Sequence, residues 1–403
     1  MKKYLIVVIL LIIKLNANND FIEIYSSYTN GKNINIIGRI IDKKDKKSKE
    51  SKVFSSFFNS ERKNTNILMI LNNKSYSNTS DDEGYFIFDI NLSNKLSNNY
   101  KLYLQTDDKN SKKEVKLFYP SSSKHIGIIS DFDDTVIVSD VTNKFKLMYN
   151  TFLKDYKQRK VVNSVKSKII NIVKENNISK DTATFFISGS PYQLTNNINN
   201  FLNLHNFPKR TILTKKIHGK NKDSLSATIS YKYDKIVKLI DIYPNVIWVL
   251  FGDSGEKDSE IYLKVKNNYP NKIKDIYIRD VKTKKVSKLT NKIRAFKTDG
   301  CSYFPDGTLV NNKIWLNCCI EHDKSYYRGG TKKEKFFADE SLKKCVKDLG
   351  YPNIAKLMFL GVRIAGDAKY NTTYKWGYGW EINRYYEPLT KDDLEYINSI
   401  NGL

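Results

Sequence analysis

The stretch 126-IGIISDFDDTVIVS-139 decides how this chain folds. Gly127, Ile128, Ile129 and Ser130 are small or apolar, as a strand buried inside a parallel sheet requires. Asp131, Asp133 and Asp134 follow at once, with Thr135 behind them. Three carboxylates in four residues repel one another. A divalent cation, with one Asp serving as a nucleophile, accounts for them economically. An acidic turn after a strand accounts for the same residues, and both readings stand at this point.

Two later stretches share the pattern. Thr182–Ser190, TATFFISGS, is a strand ending in small hydroxyl residues. Val246–Phe251, VIWVLF, is a buried strand ending in Gly252-Asp253-Ser254-Gly255-Glu256-Lys257-Asp258. A mostly helical segment at Val141–Glu175 precedes the first of them, and a helix at Pro191–Leu204 and another at Tyr231–Tyr243 lie between the two. Helix Ser259–Asn268 and strand Asp275–Arg279 follow. Such alternation specifies a parallel sheet covered on both faces. Ligands in such sheets bind beyond the carboxyl ends of the strands, where all three stretches end.

Together DFDDT, FFISGSPYQL, a lysine on a helix and FGDSGEKDSEIY resemble the haloacid dehalogenase superfamily. More narrowly they resemble the phosphatidate phosphatase catalytic domain of the actin-patch-associated type, over roughly residues 122–285. The resemblance implies a HAD-like three-layer α/β sandwich at 122–295 and a Mg²⁺-dependent phosphatase. By it Asp131 is the nucleophile and Asp133 the general acid and base. Asp131 and Asp253 are side-chain ligands of Mg²⁺, Asp133 contributes its backbone carbonyl, and Asp258 orients the metal site. Ser188 donates to a phosphoryl oxygen, and Lys232 steadies nucleophile and phosphate, with Lys235 the alternative. Gly189, Ser190, Tyr192 and Gln193 are candidates to line the substrate pocket, although a helix N-cap also accounts for Ser190. Asp134 and Thr135 are structural, and Val136–Asp181 caps the site.

Upstream, residues 18–121 read as a small all-β sandwich. Asn33–Ile41 alternates, Asn66–Leu71 is a strand, and Asp81–Gly84 turns into the alternating Tyr85–Ile90; Tyr100–Leu104 and Val115–Tyr119 add more. DEGYFIF resembles prealbumin-like sandwich modules, with a positioning or surface-docking role expected.

Downstream, residues 296–403 bring cysteines, glycines and aromatics together. Cys318-Cys319-x-x-His322-Asp323-x-x-Tyr326 is similar to the helix signature of secreted phospholipases A2, and Ala338-Asp339 precedes Cys345 as in that family's second helix. With Cys318 facing Cys345 across antiparallel helices, His322 lies ~6 Å along one and Asp339 ~9 Å along the other, so the two can meet. The resemblance implies a small, disulfide-linked, mainly α domain with bridges Cys301–Cys319 and Cys318–Cys345. It makes His322 a general base, Asp339 its orienting carboxylate, and Asp323 a Ca²⁺ ligand beside the loop Asp299–Gly307. A disulfide-stapled helix pair with an inert His–Asp is the plain alternative.

Composition bounds the rest. The 403 residues carry a formal charge of +25 and are 40% hydrophobic, so real cores and anionic partners are expected. No arginine stripe or nucleic-acid fold signature is present, and no nucleic-acid partner is expected. Met1–Ala17, with Lys2, Lys3 and the apolar run Leu5–Ile13, reads as a secretory signal. Four cysteines confined to the last quarter suit two disulfides in an exported chain, periplasmic or secreted. The whole reads as an exported hydrolase meeting an anionic phospholipid surface: a phosphatidate phosphatase with a possible phospholipase A2 activity. The alternatives are a broad-specificity phosphomonoesterase with an inert tail and a non-catalytic membrane-binding protein.

Overall fold

The structure is a computed structural model, and it describes residues 20–42, 61–107, 111–138, 157, 159–176, 181–216, 228–370 and 372–401. The expected signal segment and half of the expected cap lie outside these residues. The chain forms two units. One runs to Glu256 and takes back Asn271–Ser287; the other holds Lys257–Pro270 and everything from Lys288 onward.

The first unit opens with two antiparallel sheets. β1 (Asp20–Thr29) and β2 (Asn33–Asp42) pair as a hairpin, and β3 (Asn66–Leu71) pairs with β4 (Lys74–Thr79). β5 (Tyr85–Asn91) joins β2, while β6 (Leu102–Thr106) joins β3 and carries β7 (Lys112–Glu114). Ile34, Ile36, Ile40, Phe86 and Phe88 from the first sheet share a core with Ile67, Met69, Leu71, Leu102 and Leu104 from the second, so the sheets pack face to face. Gly31 holds φ +97° in the β1–β2 turn, where a Cβ would collide with the Tyr119 hydroxyl. The strand expected at Val115–Tyr119 lies earlier, at Lys112–Glu114. Val115 and Leu117 are buried past the end of β7, where the Val115 amide still donates to the Leu102 carbonyl of β6 at 2.9 Å, and Phe118 makes a bridge to Tyr28.

The central sheet follows. β8 (His125–Ser130), α1 (Asn163–Glu175), β9 (Thr184–Pro191), α2 (Thr195–Leu204), β10 (Thr211–Lys215), α3 (Thr228–Ile242) and β11 (Val246–Asp253) come in order. α4 (Asp258–Asn268) belongs to the second unit; β12 (Ile273–Arg279) and β13 (Val286–Lys288) close the sheet. Among the described residues the strand order is β10-β9-β8-β11-β12-β13, with the first five mutually parallel. The chain is thus mixed α/β, as expected. Gly127 lets β8 lie against β11, since a Cβ there would meet Val246 and Trp248. Val165 and Ile169 of α1 and Ile198, Phe201 and Leu202 of α2 pack on Ile128, Phe186, Val249 and Phe251, one face of the sheet. Phe185 points to the other face, against Tyr28 and Phe118 of the sandwich and against Tyr243.

In the second unit, α5 (Leu316–Arg328) and α6 (Lys332–Asp348) are joined through Gly329-Gly330, both with positive φ, and α6 opens on a Thr331/Glu334 capping box. α7 (Pro352–Ala365) and α8 (Lys391–Asn401) follow. Both expected disulfides are present, Cys301–Cys319 and Cys318–Cys345. In the chain-entropy picture, the longer loop contributes roughly 3–4 kcal/mol. No described helix is long and apolar enough to cross a membrane.

Candidate active site

The ends of β8, β9 and β11 lie side by side, because β8 sits between the other two. Asp131 follows β8 directly and is buried; its amide donates to the Phe251 carbonyl of β11 at 2.8 Å. Lys232, from the first turns of α3, reaches Asp131 Oδ1 with its Nζ at 2.8 Å, and both side chains are shut away from solvent. Lys235, the alternative, instead stands over the Tyr231 ring. Asp253 ends β11, buried, and its Oδ1 accepts from the amides of Gly255 and Glu256 at 2.6 and 3.1 Å. Carboxylate oxygens of Asp131 and Asp253 come within 4.8 Å of each other. Asp258 is buried at the start of α4, five residues further along the chain.

Asp133 is half-buried and faces β9. Ser188 and Ser190 both donate to its Oδ2, at 3.0 and 3.1 Å, and the Ser190 amide donates to Ser188 Oγ. Ser190 caps no helix: α2 starts at Thr195, behind a 3₁₀ turn at Tyr192–Leu194, and its N-cap is Leu194. Gly189 is exposed between the two serines, with open space where a Cβ would stand. Burial raises the Asp133 pKa, and the positive charge of Arg159 and the two serine hydrogen bonds only partly oppose it. Asp134 takes φ +56°, which Asp tolerates better than most residues, and Arg279 Nη1 donates to its carbonyl at 2.5 Å. Thr135 is buried.

Three further charged groups belong here that the sequence did not single out. Glu256 pairs with Lys232 at 3.0 Å, Arg159 acts electrostatically on Asp133, and Arg279 props the Asp134 turn. Glu256 stood inside the quoted GDSGEKD stretch; Arg159 and Arg279 carried no signal in a chain this rich in basic residues.

The second unit brings its own predicted residues together. His322 Nε2 lies 3.0 Å from Asp339 Oδ1, both buried. Tyr326 Oη donates to the same oxygen at 2.7 Å, while Lys335 and Arg363 donate to Oδ2 at 2.9 and 3.1 Å. Burial lowers the His322 pKa; Asp339 opposes this only in part. Burial would raise that of Asp339, but its hydrogen bonds from His322, Tyr326 and Lys335 outweigh it and the net direction is down. Asp323 accepts from Thr298 at 2.6 Å, and burial pushes it up to about 7. His322 and Asp323 open on a cavity of about 400 Å³ whose other walls include Tyr303, Leu357, Met358 and Val362.

The arrangement at the sheet rim defines a class first: a parallel α/β unit with clustered acidic residues, a buried lysine and two serines. The comparisons then narrow it. Residues 126–280 match the family described as phosphatidate phosphatase APP1, catalytic domain. The chain is similar to phosphatidate phosphatase APP1 of Saccharomyces cerevisiae, 32% identical over 158 residues, which are 38% of this chain and 26% of that protein. It is also similar to an uncharacterized protein of Schizosaccharomyces pombe, 28% identical over 207 residues, 49% of this chain and 33% of that protein. The chain thus spans between a quarter and a third of these relatives' lengths. A solved carbohydrate acetylesterase from Xanthomonas citri aligns at 10% identity over 60% of this chain and 53% of its own, with a TM-score of 0.23, too low to bear on the fold.

Proposed function

We propose that the first unit is a HAD-like, Mg²⁺-dependent phosphatidate phosphatase and that the chain is exported. The observation that carries this is the buried Lys232–Asp131 pair at the end of β8, in a segment that matches a phosphatidate phosphatase family. Asp131 Oδ attacks phosphorus, and the bond from phosphorus to the lipid oxygen breaks. The Asp133 proton goes to that oxygen as it leaves. Asp133, now a carboxylate, takes a proton from water, whose oxygen attacks the phosphorus of the aspartyl phosphate and releases inorganic phosphate. Lys232 holds Asp131 in line, and Ser188 and Ser190 hold Asp133.

The donor set suits Mg²⁺. Asp131 and Asp253 bring two buried carboxylates together, and Lys232, one positive charge, is divided between Asp131 and Glu256. Asp131, Asp253 and the Asp133 carbonyl would hold the ion. When bound it offsets the charge of the phosphoryl oxygens.

A phosphatidate surface agrees with the +25 charge and with α7, where Leu357, Leu360 and Ile364 are exposed on one face beside Lys356 and Arg363. Phosphate release from phosphatidate in anionic vesicles is expected to need Mg²⁺ and to exceed release from a soluble phosphomonoester; Leu360→Asp should lower the vesicle rate alone. Equal rates on both substrates would favour the broad-specificity enzyme, and Mg²⁺-dependent binding without release a non-catalytic protein. The two disulfides agree with an oxidising compartment, periplasmic or extracellular.

The His322–Asp339 contact beside an apolar cavity favours a second reading for the C-terminal unit: hydrolysis of an acyl ester in the manner of a phospholipase A2. His322 Nδ1 would take a proton from water, and the water oxygen would add to the ester carbonyl. The C–O bond then breaks, and the proton passes from the imidazolium to the departing alcohol. The Ca²⁺ donors are thinner, one carboxylate already accepting from Thr298, so no step is routed through calcium. On the same vesicles His322→Ala should abolish fatty-acid release while leaving phosphate release unchanged; persistent fatty-acid release in that variant would end this reading.

A further inference from the structure

The Ser188–Ser190 segment is anchored from behind by the β-sandwich. Two residues past Ser190, the Tyr192 ring stacks on Tyr25 of β1, with centroids 5.3 Å apart and planes 4° from parallel. One residue further, Gln193 Nε2 donates to the Tyr85 hydroxyl at 2.8 Å. Tyr85 opens β5, and its ring is flanked by two cations, Arg39 at 4.9 Å and Lys216 at 5.0 Å. Lys216 follows β10 and is tied back to the sandwich through Asp81 at 2.5 Å and Glu83 at 2.8 Å. Tyr25, Ile37, Tyr85 and Tyr192 form a buried cluster of their own, separate from the sandwich core. Sandwich and sheet therefore meet just behind the turn that presents the two serine hydroxyls to Asp133.

We infer that the sandwich is a brace for the phosphatase site, and that Tyr85, acting through Gln193, is a positioning residue for Ser188 and Ser190. The physical reason is the shortness of the lever. Pro191 fixes the backbone between Ser190 and Tyr192, and the 3₁₀ turn Tyr192–Leu194 carries both anchored side chains. A rotation of this turn moves Ser190 with it. Ser188 and Ser190 share one Asp133 oxygen, so displacing either changes how Asp133 meets the leaving group. Displacements of about 1 Å at a reacting group can cost on the order of 10²-fold in rate. The Tyr85 site is built to hold: its hydroxyl has a buried donor and its ring two cations, an arrangement stronger than a surface contact.

This inference rests on the phosphatase reading for its kinetic consequence and not for its structural one, and the test separates them. Tyr85→Phe keeps the ring and its cations and removes the acceptor for Gln193. It should lower kcat by about 5- to 30-fold with KM within about twofold, and should raise amide hydrogen exchange across residues 186–194 without a matching fall in Tm. Gln193→Leu should do the same, and the double variant should cost no more than either single one. Asp89→Asn cuts the exposed Lys238–Asp89 pair at another point of the same junction and should leave rate and exchange unchanged. Unchanged kcat and exchange in both Tyr85→Phe and Gln193→Leu, or a fall in Tm alone, would overturn the brace. A wild-type protein with no phosphatase activity would count against the proposed function, while the exchange measurement would still decide the brace.

Discussion

Asp131→Asn is expected to abolish phosphate release, by at least about 10⁴-fold, while the protein stays folded. An amide oxygen of the same size is too weak a nucleophile to displace the lipid oxygen, so the first bond never forms. Structure should survive for a specific reason. Removing one partner of a buried ion pair ordinarily strands the other charge at a cost of about 3–5 kcal/mol. Here Lys232 retains Glu256 at 3.0 Å, and the side-chain oxygen of the introduced amide can still accept from Nζ. The Asp131 amide bond to Phe251 is a main-chain bond and is untouched. Circular dichroism and Tm should therefore stay near wild type, and acid-quenched protein should carry no phosphoryl group. Turnover above a hundredth of wild type would show that the phosphoryl group never resides on Asp131.

How much of this was legible beforehand follows from where each residue lies. β8, β9 and β11 are buried on both faces, so they read as near-continuous apolar runs, and the acidic or hydroxyl residues after them stood out by contrast. β4, KSYSNT, is an exposed edge strand with no apolar alternation to announce it, and β10, TILTK, is too short for periodicity to register. Choosing between Lys232 and Lys235 needed coordinates, because both lie on α3 three residues apart; Lys232 reaches Asp131, while Lys235 stands over the Tyr231 ring. The paired helices of the second unit were legible through the resemblance of Cys318-Cys319-x-x-His322-Asp323 to a phospholipase A2 helix, which implied the bridge whose register lets His322 reach Asp339. Tyr25, Tyr85 and Tyr192 were not, since their meeting depends on packing between segments far apart in the chain. Arg159 sits among many basic residues, and its effect on Asp133 exists only once the fold brings them together.

Asp133→Asn should separate the two halves of the reaction by their dependence on the leaving group. The lipid oxygen of phosphatidate departs as a poor leaving alkoxide and needs a proton in the transition state. General acid catalysis of that kind contributes about 10²- to 10⁴-fold, so release from phosphatidate should fall by that much. Nitrophenol leaves without protonation. With nitrophenyl phosphate the first step should stay close to wild type, and the second should fail because nothing takes the proton from water. The expected signature is a burst of nitrophenol equal to the enzyme present, followed by near-zero turnover, with phosphoprotein accumulating. The variant should otherwise be quiet, because the introduced amide's carbonyl oxygen still accepts from Ser188 and Ser190, which are 3.0 and 3.1 Å from Asp133 Oδ2. Equal losses on both substrates with no burst would assign Asp133 to holding the loop, and would move the proton transfers to another group at the rim.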